Sequence, residues 1–118
     1  MLTAICNERI IASNIKLADS FWARFRGLMG RKSLGDGEGL LLTYCLSVHC
    51  FFMRIPIDAV HLSKNMTVLG VETLRPWSVG RIIRGTAHIL ELGAGGAAVS
   101  AGDSIEFQAN GGETDAGN

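Results

Sequence analysis

Net charge is the first thing this chain lacks: its 118 residues hold eleven Lys and Arg against eleven Asp and Glu. There is no overall field of the kind that steers proteins onto nucleic acid or anionic membranes, and nucleic acid is not an expected partner. Also missing is any run near the roughly 18 apolar residues that a membrane-spanning helix needs. The start, Met1 to Cys6, carries no charged region followed by a long apolar stretch, so it does not read as a signal peptide. That fits a cytoplasmic protein as written, or a periplasmic or exported one if a leader has been removed. Cysteine is sparse and odd in number: Cys6, Cys45 and Cys50 form no CxxC, which argues against a disulfide framework and a zinc knuckle and leaves buried thiols as the ordinary state.

What is present describes a packed globule. A hydrophobic share of 47% with 19% charged residues is far from a disordered composition. The length suits one domain, taken as 1–108, followed by a glycine-rich tail, 109–118, with little to bury and expected to be disordered. Short strands are predicted over Thr3 to Cys6, Arg9 to Ala12 and Ile15 to Leu17, with a turn at Asn7-Glu8. Asp19 or Ser20 caps a predicted helix in which Phe21, Trp22, Phe25, Leu28 and Met29 share one face, ending at Gly30. One or two core strands follow between Leu40 and Met53. Ile57 to Leu62 and Thr67 to Leu74 read as a hairpin turning at Ser63-Lys64-Asn65. Residues 77–86 read as loop, His88 to Leu92 as a strand, Ala97 to Ser100 as a helical turn, and Ser104 to Gln108 as the last strand. The fold class is mainly β: an antiparallel sandwich or distorted barrel with one short helix in the N-terminal half.

The string Ser47-Val48-His49-Cys50-Phe51-Phe52-Met53, then Pro56-Ile57-Asp58 and an apolar strand, resembles the bacterial and archaeal family known as domain of unknown function 192. Gly27-Leu28-Met29, Gly37-Glu38-Gly39-Leu40, Pro76-Trp77, Leu90-Glu91-Leu92 with Gly95, and Gly102-Asp103 resemble its recurring blocks, in its order. The likeness spans about residues 20–108. It implies a β-sandwich of jelly-roll type with a short helix, and no established activity, substrate or cofactor. Cys50 stands where that pattern usually has Thr, and His61 where a bulky apolar residue is usual, so any role for either would be particular to this chain.

No nucleophile–base set is recognisable, and the catalytic residues are unknown. Cys45 and His49 are four residues apart, about 13 Å along a regular strand, too far to share a metal. His49 and His61 would oppose each other only if residues 54–56 made a tight turn, and no metal or cofactor is expected. The glycines at 93–96 formally match a dinucleotide fingerprint, but Gly102-Asp103 would stop its helix after one turn and no βαβ unit follows. Arg75, Trp77 and Arg81, with Arg84 near, put an indole and guanidiniums in one loop, a composition suited to carboxylate, phosphate or sugar ligands. Against that stands the ordinary role of Trp77 as a core cap beside solvated arginines. Asp58 serves either a solvated strand face or backbone N–H groups at a turn. The ligand-binding candidates are therefore His49, Asp58, Arg75, Trp77, Arg81 and Glu91. A noncatalytic small-ligand-binding or interaction module leads. Its rival is a small hydrolase or metal-dependent enzyme gathering His49, Asp58, His88 or Glu91 across strands, and a structural partner protein stands third.

Overall fold

The chain opens on a hairpin because Asn7 and Glu8 both take positive φ, 52° and 65°, the two-residue turn that matches the twist of paired strands. The computed structural model, which describes residues 1–18, 35, 37–45 and 55–110, places β1 at Leu2–Cys6 and β2 at Arg9–Ala18. The two short runs expected in β2 are one strand. Its pairing with β1 shifts register between Leu2 and Ala4 and again between Ala4 and Ile5. Each shift sets an extra β2 residue against β1, which breaks strict alternation and made the strand read as two.

Among the described residues five more strands follow: β3 (Glu38–Thr43), β4 (Ile57–Leu62), β5 (Val68–Leu74), β6 (His88–Gly93) and β7 (Ile105–Ala109). The β4–β5 hairpin turns where expected, with Ser63 N donating to Thr67 O at 2.9 Å and Met66 N to Ser63 O at 3.0 Å. These seven strands form one sheet in the order β5-β4-β6-β3-β2-β1-β7. Its two ends approach each other at a bridge between Thr67 and Ser104. Val68 N donates to Asp103 O at 2.7 Å, and Ile105 N to Met66 O at 3.0 Å. Among the described residues the result is one curled half-barrel sheet, nearer the distorted barrel than the sandwich of the two expected forms.

Three further expectations need correction. The sheet is not wholly antiparallel, because β2 and β3 run parallel from Asn14↔Glu38 to Ala18↔Leu42. The connection 19–37 exceeds the dozen or so residues that a parallel crossover requires. Ala97 to Ser100 forms no helical turn; Asp103 holds the segment instead, its carboxylate accepting Ser100 N at 2.9 Å and its own N donating to Ser100 O at 3.0 Å. Ala109 belongs to β7 and pairs with Leu2, so the ordered chain runs past the boundary drawn at 108. The helix expected between Asp19 and Gly30, and Cys50, lie outside the described residues.

The sheet buries apolar side chains on both faces. Ala4, Ile15, Leu41, Val60, Leu90 and Ile105 fill the concave side, while Leu40, Leu42, Ile57, Ala59 and Ile89 form a second cluster on the other side. All six residues of β4 are buried, as a central strand covered on both faces requires.

Candidate functional site

Alternation along β4 and β6 sorts the polar candidates by face. In the unbroken β4–β6 ladder Asp58 pairs with Leu92, and His88 with Leu62, among residues that line the concave side. Ala59 pairs with Glu91 and His61 with Ile89, which places His61 and Glu91 on the convex side. Glu72, opposite Ala59 on β5, joins that side. Asp58 and His88 therefore cannot converge with Glu91, because the sheet lies between them. His49 lies outside the described residues. Among the described residues no three His, Cys, Asp or Glu side chains gather as a set of metal ligands.

Asp58 is buried and fully engaged: Oδ1 accepts the Thr73 hydroxyl at 2.7 Å, and Oδ2 accepts Gly95 N at 2.9 Å and Ala97 N at 3.4 Å. It ties the turn after β6 to the sheet, the backbone-capping alternative that Asx side chains offer. His88 Nδ1 accepts Tyr44 N at 3.1 Å, and burial lowers its pKa.

On the convex side, the connection 75–87 runs back along β5 as a strap. His61, with no exposed surface, anchors it: Nε2 lies 2.8 Å from Glu72 Oε2 and Nδ1 3.2 Å from Thr86 Oγ1. One neutral tautomer satisfies both, with Nε2–H donating to the carboxylate and Nδ1 accepting from the hydroxyl. Glu72 also accepts Arg81 N on both oxygens, at 3.2 and 3.0 Å. Gly70 makes room for the strap, since a Cβ there would stand 3.0 Å from Ile83 Cδ1.

The strap begins in a tight turn in which Ser78 N and Ser78 Oγ donate to Arg75 O at 3.3 and 2.5 Å. Pro76 takes the second position and Trp77, with φ 66°, the third, where a type II turn asks for glycine. Trp77 is 62% exposed, so it does not cap the core. Val79 and Ile82 are also exposed, at 51% and 73%, as are Arg75, Arg81 and Arg84. The structure thus brings Arg75, Trp77 and Arg81 onto one strap and separates them from Asp58.

Glu91 is buried on the convex side, and its Oε1 is, among the described residues, the buried side-chain polar atom without a hydrogen-bond partner. Burial pushes its pKa up to about 7. A separate hollow of about 250 Å³ lies between Ile11, Gly37 and Gly93–Gly96; its walls are largely backbone, and the strap takes no part in it. The residue that sequence reasoning missed is Glu72. It is a lone carboxylate in the β5 run, and only the strand register reveals that it faces the same side as His61.

A mainly β half-barrel carrying a pinned, cationic strap is the class of protein these observations define. The chain belongs to the DUF192 family, described as Uncharacterized ACR, whose profile it matches over residues 4–107. Its function is not known. The chain is 32% identical over 108 residues to a UPF0127 protein of Pyrococcus furiosus, covering 82% of this chain and 89% of that one. A UPF0127 protein of Thermococcus sibiricus is 30% identical over 103 residues, 80% of this chain, which spans 64% of that relative's length. The crystal structure of a protein of unknown function from Novosphingobium aromaticivorans superposes with a TM-score of 0.77 at 22% identity, over 89% of this chain and 82% of that one. Archaea and a bacterium both appear among these matches, so a bacterial source is not singled out.

Proposed function

We propose that the protein is a noncatalytic binding module whose recognition surface is the strap carrying Arg75, Trp77 and Arg81. The observation that carries this reading is Trp77: a bulky side chain in a backbone conformation that costs of order 1–2 kcal/mol for a non-glycine residue, presented to solvent. Strain held at an exposed aromatic between arginines fits recognition better than packing. The His61–Glu72–Thr86 anchor keeps the strap in place, with Trp77, Val79 and Ile82 exposed on it. The separation of Asp58 and His88 from Glu91 removes a shared cross-strand centre for those three from the enzyme alternative. Backbone amide shifts of labelled protein, followed during titration with inorganic phosphate, small carboxylates and sugars, test the reading. Shifts centred on residues 75–84 and abolished in Trp77→Gly are expected. Shifts centred elsewhere would sink it, as would the absence of any response at the strap to these probes and to an anionic surface alike.

A further inference from the structure

The strap's chemistry names its partner more closely, and this step rests on the binding-module reading. Between Leu74 and His88 the chain carries three arginines and no acidic residue, in a molecule whose total charge is zero. Glu72, the carboxylate that holds the strap, has a side chain only 10% exposed. It is already occupied by His61 and by Arg81, whose own side chain stays 75% exposed with Nε 3.6 Å from Glu72 Oε1. Interleaved with these cations are Trp77, Val79 and Ile82, all more than half exposed.

A small anion would explain the arginines but leave the aliphatic side chains without a purpose. An anionic lipid surface accounts for both. Guanidiniums pair with phosphates at the headgroups, while an indole and short apolar side chains settle at the boundary between headgroup and acyl chain. The strap presents Trp77, Val79 and Ile82 to solvent together with its arginines.

We infer that the strap, through Arg75, Arg84, Trp77, Val79 and Ile82, docks the protein on an anionic phospholipid surface. Attachment is peripheral and shallow. Because the whole molecule is neutral, there is no long-range attraction to speed the encounter, and binding depends on contact. Each arginine lost should weaken it about fivefold.

The test is sedimentation with vesicles of mixed phosphatidylcholine and phosphatidylglycerol, against vesicles of phosphatidylcholine alone. A Trp22→Phe background makes Trp77 the only tryptophan, so its emission reports insertion. The intact strap should sediment with the mixed vesicles, leave the neutral ones in solution and shift its emission to the blue. Arg75→Ala with Arg84→Ala, and separately Trp77→Gly, should lose at least severalfold in bound fraction while melting at the temperature of the parent. Failure to sediment with mixed vesicles overturns the lipid inference. If inorganic phosphate or polyglutamate still perturbs Trp77 in that case, the binding module stands with a soluble anionic partner. If neither does, both readings fall.

Discussion

Glu91 is 4% exposed, and its Oε1 faces no donor, so the folded chain holds the carboxyl in a place that resists ionisation. Burial raises its pKa from 4.5 to about 7. Below pH 4.5 the group is protonated whether the chain is folded or not. As pH rises from 4.5 towards 7 the unfolded chain releases this proton and the folded chain keeps it, so stability falls across that window and levels off above it, by at most roughly 3 kcal/mol. Urea unfolding at a series of pH values should show this slope, and Glu91→Gln should flatten it; equal slopes in the two proteins would contradict the assignment. His88 works in the opposite sense. Its lowered pKa means that stability is present above the unfolded value and is lost as pH falls below it. His88→Asn, which keeps an acceptor for Tyr44 N, should blunt the loss on the acid side. Trp77 obeys a different rule: a glycine in its place relieves the left-handed strain and adds backbone entropy to the unfolded state, and the two offset. Trp77→Gly should therefore unfold within about 1 kcal/mol of the parent in the same urea experiment.

Among the elements, β3 shows how closely the sheet is assembled. A Cβ on Gly39 would stand 2.7 Å from Leu92 Cδ2 and 2.8 Å from the carbonyl oxygen of Glu91. A side chain can turn aside; a ladder carbonyl cannot without breaking the β3–β6 pairing. Gly39→Ala should cost about 1–3 kcal/mol, read as a lowered denaturant midpoint. The strap depends on its anchor, and Thr86→Val, which removes the hydroxyl beside His61 Nδ1, should speed amide exchange in residues 81–87 before it affects β6. Much at this scale was legible beforehand. The Asn7-Glu8 turn, the hairpin at Ser63 to Asn65 and the strand from His88 all carry local signals of turn chemistry and apolar alternation. The breadth of β2 was not legible, because bulges are set by the pairing strand. Nor was the irregular run 97–100, where the Asp103 carboxylate overrides a weak helical tendency.

At the scale of the molecule, the mainly β class followed from composition and short connections, and the family resemblance pointed the same way. The choice between a distorted barrel and a sandwich did not, since the curl of the sheet arises from contacts between Thr67 and Ser104, thirty-seven positions apart. The same limit governed the site. Arg75, Trp77 and Arg81 are neighbours in sequence and were readable as a group, whereas the His61–Glu72–Thr86 anchor needs three separate segments in register. The pairing of β1 with β7 has a bearing on synthesis. Leu2 to Cys6 are made about a hundred residues before Ile105–Ala109, the strand that covers their outer edge. Until Ile105–Ala109 has emerged, the nascent sheet keeps that edge open, in the state in which strands recruit wrong partners. A translational stall shortly before Ile105 would therefore hold the protein with the outer edge of β1 open to wrong partners.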